Sequence, residues 1–319
     1  MKYHTSARVR EEISAIAAGC WGIGAAGWGE VRDEESIEAI RVLIEGGVNL
    51  VDTAPVYGLG HSEEIVGKAL EGLRDKVLLV SKCGITRKKA TGFGENGPVR
   101  DSSKEAIVKQ VHESLERLKT DYLDVLLIHW PDVNTPFEDT AETLKQLKRQ
   151  GLIRYSGVCN FEEDQLARMY ACDVLDFIQY QNSLVEDKWE PLLSKYRDLG
   201  VATMAYGPLG GGILTGVFRE KPDFASDDMR LNFYPYFREP RFSKIQKLLQ
   251  VMDEIGEAHG ASAAEVAINY TATSPWITTA LLGTSKPRHA VTNLKAMDFS
   301  LNGEERRRLR EAAAITNEI

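Results

Sequence analysis

Short apolar runs alternate along the chain with longer stretches whose apolar residues recur at helical spacing. Eight of these runs have the length of buried strands: Ile16–Cys20, Val48–Asp52, Val77–Lys82, Val125–His129, Ile153–Val158, Phe177–Gln181, Val201–Tyr206 and Thr278–Gly283. The helical stretches are Asp33–Glu45, Ser62–Leu70, Ser103–Leu118, Pro136–Arg149, Glu163–Ala171, Trp189–Leu199 and an α-rich region over Ser243–Ala272. Strands that are each followed by a helix are typical of parallel β/α units. Eight such units predict an α/β fold, a (β/α)8 TIM barrel, rather than an open doubly wound sheet.

No composition shift or low-complexity linker divides the 319 residues, so we expect one domain over residues 1–319. Two segments are too long for simple connections: Gly84–Asp101 follows the third strand and Val217–Arg241 follows the seventh. Because active sites of such barrels lie at the carboxyl ends of the strands, we expect both segments to lie over the site. The second segment is rich in aromatic residues, which predicts a packed lid.

Composition excludes several classes of protein. Hydrophobic residues make up 43% and charged residues 27%, which is an ordinary globular mixture. With 39 basic and 47 acidic residues the net charge is −8, which argues against nucleic-acid or anionic-membrane partners. No apolar stretch has the length of a signal segment or a membrane span, so we expect a soluble, cytoplasmic protein. The four cysteines are scattered and predict reduced thiols, not disulfides or a zinc site.

Polar residues stand where three predicted strands end. Asp52, Lys82 and His129 close the second, third and fourth strands, and Tyr57 follows the second. Side chains at the carboxyl ends of barrel strands point into the mouth, so we expect these four to converge. An ammonium group at the end of an apolar run needs a nearby anion, and Asp52 on the neighbouring strand is the candidate.

Four separated motifs carry a resemblance to a known family. They are GVNLVDTAPVYG at 47–58, GHSE at 60–63, VSK at 80–82 and LIHWP at 127–131. Over nearly its whole length the chain resembles the aldo-keto reductase superfamily. It is similar to bacterial-type members, because it ends without the long C-terminal loop that lines the pocket of many vertebrate members. The resemblance implies an NAD(P)H-dependent oxidoreductase that reduces an aldehyde or ketone, sugar-like carbonyls included, to an alcohol by hydride transfer.

The resemblance also implies the catalytic roles. Tyr57 is the expected general acid, which protonates the developing alkoxide. A free phenol has a pKa near 10, and we expect Lys82 to lower it, with Asp52 keeping Lys82 charged. His129 hydrogen-bonds the carbonyl oxygen or relays the proton, and no metal is implied. The expected substrate-binding residues are Trp21, Trp28, Tyr57, His129 and Trp130.

No GxGxxG motif follows the first strand, which disfavours a Rossmann mode of dinucleotide binding. The resemblance assigns the cofactor to Gly19, Cys20, Trp21, Asp52, Cys159, Asn160, Gln181, Tyr206, Gly207, Pro208, Leu209, Gly210, Gly212, Leu214, Gly283, Thr284, Ser285, Lys286, His289 and Asn293. Within this set Asn160 and Gln181 are expected to bind the carboxamide, and Tyr206 to stack on the nicotinamide. The glycine-rich stretch after Tyr206 is expected to wrap the pyrophosphate. A helix N-terminus with Lys286 suits a 2′-phosphate, so NADP(H) is favoured over NAD(H).

One position departs from the family pattern: Cys159 stands where a serine usually precedes the carboxamide-binding asparagine, and a thiol is a weaker donor than a hydroxyl. Two other functions stay open. The first is a redox-sensing NADP(H)-binding module like the potassium-channel β-subunits, which are relatives of this fold. The second is a Schiff-base aldolase that uses Lys82.

Overall fold

Eight parallel strands form the closed barrel that the sequence predicts. The computed structural model describes residues 1–24, 31–86, 98–225, 228, 230, 233–283 and 285–317. The strands are β1 (Tyr3–Ser6), β2 (Val9–Ser14), β3 (Ile16–Gly19), β4 (Leu50–Asp52), β5 (Leu78–Cys83), β6 (Ile85–Thr86), β7 (Val99–Arg100), β8 (Leu123–Ile128), β9 (Ile153–Cys159), β10 (Phe177–Gln181), β11 (Ala202–Tyr206) and β12 (Thr279–Gly283). The barrel follows the order β3-β4-β5-β8-β9-β10-β11-β12 and closes where β12 pairs with β3. The predicted strands coincide with these eight to within two residues at each end.

The α-helices lie outside the barrel strands that they connect. They are α1 (Asp33–Glu45), α2 (His61–Ala69), α3 (Lys104–Leu118), α4 (Phe137–Arg149), α5 (Glu163–Ala171), α6 (Glu190–Asp198), α7 (Arg241–His259), α8 (Ala263–Ala272), α9 (Pro287–Lys295) and α10 (Gly303–Asn317). The α-rich region after residue 243 is two helices. The break follows from Gly260, which has a φ of 63°, and from Ser262, which caps the next helix in a capping box with Glu265.

Side chains inside the barrel form one apolar cluster and side chains under the helices form another, because residues of a strand alternate between its two faces. The antiparallel hairpin β1–β2, which the sequence pattern did not reveal, closes the amino-terminal end of the barrel. Its Val9 and Ile13 belong to the interior cluster with Leu50, Leu78 and Val125. The opposite end, where the strands finish, is the end that holds the predicted site.

The long segment after β11 is packed where it is described. Phe218, Phe224 and Phe237 contact one another edge to face, with ring centroids 4.9–5.6 Å apart. Tyr234 and Tyr236 are buried in the same cluster, which includes the inner face of α7. Of the other long segment, residues 85–86 and 99–100 pair as the short ladder β6–β7. No helix among the described residues combines the length and apolarity needed to cross a membrane.

Candidate active site

Asp52, Lys82, Tyr57 and His129 meet at the carboxyl end of the barrel. The expected ion pair is present: Lys82 Nζ lies 2.6 Å from Asp52 Oδ1, and it also donates to the carbonyl oxygen of Thr53 at 3.0 Å. Lys82 is 1% exposed and Asp52 is 3% exposed. Burial alone lowers the pKa of Lys82, but the charges around it, Asp52 first among them, outweigh burial and raise the pKa above its ordinary value. Lys82 is therefore an ammonium ion at neutral pH.

Tyr57 lies between this ion pair and His129. Lys82 Nζ is 5.0 Å from the centre of the phenol ring, and the His129 ring meets the same ring edge-on with centroids 5.8 Å apart. We expected Lys82 to lower the pKa of Tyr57 below that of a free phenol. Lys82 acts in that direction, but burial outweighs it and the pKa of Tyr57 is raised. The phenol is therefore protonated at neutral pH.

A tight turn brings Tyr57 to this point. Residues Tyr57–Gly60 form a 3-10 turn in which Gly58 and Leu59 adopt left-handed backbone angles, with φ of 61° and 57°. The turn touches the backbone at Gly24, where a Cβ would come within 2.5 Å of the Gly58 nitrogen. Glycine at position 24 therefore allows the loop after β3 to reach the loop that carries the phenol.

The sequence analysis missed Gln179, which is buried at the same site. Its Nε2 donates to Asp52 Oδ2 at 2.9 Å, so both carboxylate oxygens of Asp52 have partners. Gln179 and Gln181 point to the same face of β10, because the side-chain period of a strand is two residues. The two-residue spacing from Gln181 is therefore the sequence signal that could have identified Gln179.

A second buried network fixes the strand that carries Lys82. Glu63, in the first turn of α2, accepts a hydrogen bond from Ser81 Oγ at 2.6 Å and another from Arg117 Nε at 2.7 Å. The Arg117 side chain packs against Gly60, where a Cβ would come within 2.7 Å of its Cδ. Ser62, the second residue of α2, donates to the Cys20 carbonyl oxygen at 2.9 Å. The network thus joins α2, α3 and β5 beside the Tyr57 turn.

The residues proposed for the carboxamide lie after β9 and β10. Asn160 has a φ of 60°, donates to the carbonyl oxygen of His129 at 3.3 Å and accepts from Tyr206 Oη at 3.0 Å. Gln181 donates to Tyr236 Oη at 2.9 Å, so its amide is held by the segment after β11. Asn160 and Tyr206 are therefore joined to the catalytic end of the barrel through the backbone of His129.

The glycine-rich stretch after Tyr206 forms a compact turn. Positive φ angles occur at Gly207, Gly210, Gly211, Gly212 and Gly216. The backbone N–H groups of Gly210, Gly212 and Leu214 donate within the turn, to the carbonyl oxygens of Gly207 and Leu209. Pro208 and Leu214 are buried, so their side chains pack inward, while Leu209 is half-buried. These three N–H groups can donate to a phosphate only if they first break their hydrogen bonds within the turn.

The segment expected at the adenosine end follows β12. Gly283 is exposed and a Cβ there would meet no atom within 4 Å, so it faces open space. Ser285 and Lys286 are half-buried, and Lys286 immediately precedes α9. Asn293 is buried and donates to the Gly283 carbonyl oxygen at 3.4 Å, whereas His289 is exposed. Partial desolvation of the ring, with the charges of Arg288 and Lys286, lowers the pKa of His289. Thr284 lies outside the described residues.

Aromatic side chains surround the mouth. The Trp21 ring is 6.4 Å from that of Tyr57 and 5.1 Å from that of Phe233, and Trp130 is half-buried directly after His129. Trp28 lies outside the described residues. Gly19 pairs with both Asp52 and Gly283, which places it between the catalytic and adenosine regions. Cys20 and Cys159 are buried near Asp52 and Lys82, and burial raises the pKa of each thiol.

Comparison with known proteins identifies curated relatives that align with nearly the whole chain. Among curated relatives, the aldo-keto reductase YhdN of Bacillus subtilis (strain 168) is 37% identical over 311 residues, which cover 96% of this chain and 92% of that protein. The NADH-specific methylglyoxal reductase of Escherichia coli (strain K12) is 30% identical over 312 residues, or 94% of this chain and 95% of that protein.

Solved structures of aldo-keto reductases resemble this chain in fold. The glycerol dehydrogenase AKR11B4 of Gluconobacter oxydans has a TM-score of 0.87 at 32% identity, covering 98% of this chain and 95% of its own. An aldo/keto reductase of Klebsiella pneumoniae, solved with NADP and acetate, has a TM-score of 0.73 at 26% identity. The match covers 95% of this chain and 92% of that protein. The family model described as Aldo/keto reductase family matches residues 15–314, and the chain therefore belongs to the aldo-keto reductase family.

Proposed function

We propose that this protein reduces an aldehyde or ketone, sugar-like carbonyls included, to the alcohol, with NADPH as the preferred hydride donor. The observation that carries the proposal is the buried Asp52–Lys82 ion pair beneath Tyr57, with His129 against the edge of the phenol ring. A protonated phenol beside a fixed ammonium ion is suited to give a proton to an oxygen that becomes negative.

The nicotinamide supplies a hydride to the carbonyl carbon when it is bound. Tyr57 Oη donates its proton to the carbonyl oxygen as negative charge develops there. The Lys82 ammonium stabilises the phenolate that is left and so opposes part of the effect of desolvation on the pKa of the phenol. Asp52 and Gln179 hold Lys82 in place, and the His129 ring hydrogen-bonds the carbonyl oxygen or relays the proton.

The residues on the rim fit a nicotinamide dinucleotide. Asn160 and Tyr206 lie next to His129 and suit a carboxamide and a nicotinamide face, and Gly283 offers open space at the far end. Cationic Lys286 and Arg288 at the start of α9 suit a 2′-phosphate, which supports NADPH over NADH. The Klebsiella pneumoniae neighbour was solved with NADP, and the Escherichia coli relative is NADH-specific, so the family uses both cofactors.

We further propose that residues 1–319 act as one domain, with the segments Gly84–Asp101 and Val217–Arg241 as walls of the site. The contact between Phe233 and Trp21 supports this role for the second segment. A Schiff-base mechanism would need a neutral Lys82, whereas the ion pair with Asp52 keeps that amine protonated.

The test is a panel of simple aldehydes and ketones with NADPH and with NADH, followed at 340 nm as the nicotinamide is oxidised. We expect turnover that depends on the carbonyl compound and a higher kcat/KM with NADPH. Binding of NADPH without oxidation by any carbonyl compound in the panel would contradict the proposal and favour a binding module.

A further inference from the structure

Arg100 is a cation at the rim of the site, and the proposed reaction gives it no role. It belongs to β7, which pairs with β6 directly after the strand that carries Lys82. Its Cζ lies 5.1 Å from the centre of the Trp130 ring, and its Nη1 donates to the carbonyl oxygen of Pro131 at 3.3 Å. Since Trp130 follows His129 in the chain, the guanidinium lies beside the part of the mouth that His129 borders.

The guanidinium forms no ion pair with any carboxylate among the described residues. Two carboxylates that flank this contact in the chain have other donors. Asp101, the next residue after Arg100, accepts through Oδ1 from the Ser103 backbone at 3.0 Å, and Asp132, which follows Pro131, accepts from Ser102 and Thr135 at 3.0 and 2.7 Å. A guanidinium has five N–H donors, of which this contact with Pro131 uses one. Arg100 as a whole is exposed to solvent.

The contact with the Trp130 ring restricts the Arg100 side chain, and its exposure leaves the guanidinium accessible to solutes. An arginine held in this way is suited to bind a carboxylate or phosphate through two parallel hydrogen bonds. The protein has a net charge of −8, which repels an anionic substrate. A cation at the entrance counteracts this repulsion and favours binding of the anion. Trp21, Tyr57 and Phe233, which also lie at the mouth, are aromatic and provide no such charge.

We infer that Arg100 selects carbonyl substrates that carry an anionic group, a carboxylate or a phosphate monoester, at the end away from the carbonyl. The inference rests on the proposed function, since it assumes that a carbonyl group binds between Tyr57 and His129. Arg100 binds the anionic end of the substrate and the aromatic walls contact the part between the two ends.

The test compares three aldehydes of similar size: 4-carboxybenzaldehyde, 4-formylphenyl phosphate and the neutral 4-formylbenzamide. The measured quantity is the ratio of kcat/KM for each anion to kcat/KM for the amide, in the wild type, Arg100→Gln and Arg100→Lys. Loss of a charge-assisted contact lowers this ratio about tenfold in Arg100→Gln. Arg100→Lys keeps part of the effect, because it retains the charge but not the planar fork. The matched control is Arg10→Gln, which removes the same charge from an exposed position on β2 at the closed end of the barrel.

A ratio that is lower in Arg100→Gln than in the wild type, for one anion or for both, supports the inference. The anion whose ratio falls identifies the substrate group. Raising the ionic strength lowers the ratio in the wild type more than in Arg100→Gln. Equal ratios in the wild type and Arg100→Gln for both anions would overturn the inference while leaving carbonyl reduction intact. Failure of the wild type to reduce any of the three aldehydes would instead contradict the proposed function.

Discussion

Gln179 Nε2 lies 2.9 Å from Asp52 Oδ2, so the carboxylate that pairs with Lys82 is also held from the opposite side of the barrel. Both side chains are buried, which removes competing water. Lys82 therefore has a fixed position and a fixed charge beneath Tyr57, and the phenol is the group at this site whose proton is free to move.

Replacing Tyr57 with Phe removes that proton and keeps the ring. We expect kcat/KM for carbonyl reduction to fall by about 10²- to 10⁴-fold, the usual contribution of a positioned general acid. The dissociation constant of NADPH, measured by fluorescence, stays nearly unchanged. A variant that keeps most of the wild-type rate would show that Tyr57 is not the acid.

The direction of the Tyr57 pKa shift sets the pH dependence. Burial raises the pKa above the ordinary phenol value, so the acid form persists as the pH rises and is lost only above that value. We expect kcat/KM for reduction to be level through neutral pH and to fall only above about pH 10. A loss of activity between pH 7 and 8 would mean that Lys82 outweighs burial in the working enzyme.

Lys286 precedes α9 and Lys295 ends the same helix. If Lys286 contacts the 2′-phosphate, Lys286→Ala weakens NADPH binding by about tenfold to a hundredfold, the usual value of a charge-assisted hydrogen bond. Binding of NADH, which lacks this phosphate, changes little. Lys295→Ala is the control for the loss of one charge. Equal losses for both cofactors would exclude the assignment.

Two ion pairs of similar length test the role of burial in stability. Glu63 is fully buried and lies 2.7 Å from Arg117, whereas Glu71 is exposed and lies 2.9 Å from Lys119. Glu63→Ala leaves Arg117 and Ser81 without their shared partner, so we expect the free energy of unfolding to fall by about 3 kcal/mol. Glu71→Ala lowers the free energy of unfolding much less, because a surface ion pair is screened by solvent. Urea unfolding monitored by circular dichroism measures both, and equal losses would contradict the argument.

The four cysteines differ in exposure. Cys20, Cys83 and Cys159 are buried and Cys172 is half-buried on the surface side. Burial raises the pKa of the first three thiols, which keeps them in the unreactive protonated form. We expect a small alkylating reagent to modify Cys172 first in the folded protein, as measured by peptide mass spectrometry. Rapid modification of Cys159 would show that the barrel mouth opens more deeply than this structure indicates.

The barrel and the four catalytic candidates were predictable because each rests on a local pattern. A buried parallel strand is a continuous apolar run, and a polar residue that ends one is conspicuous. The hairpin β1–β2 has weak alternation, with Arg10, Glu11 and Glu12 in its second strand, so its pattern does not stand out.

The partners of the site were harder to foresee, because they depend on contacts between distant parts of the chain. Glu63 looks like an ordinary carboxylate in the first turn of a helix, and only the fold brings it to Arg117, 54 residues further on. Likewise, the net effect on Tyr57 depends on how completely it is buried, which the residue types alone do not determine.

The closing hairpin also bears on the order of folding. His4 contacts the carbonyl oxygen of Thr278 at 2.8 Å, and β3 pairs with β12, so the first strands need the last one. During synthesis β3 and β11 keep unpaired edges until residues near 280 have left the ribosome, and such edges favour association between chains. Ring closure is therefore expected to be a late step, one that a chain truncated before Thr278 cannot complete.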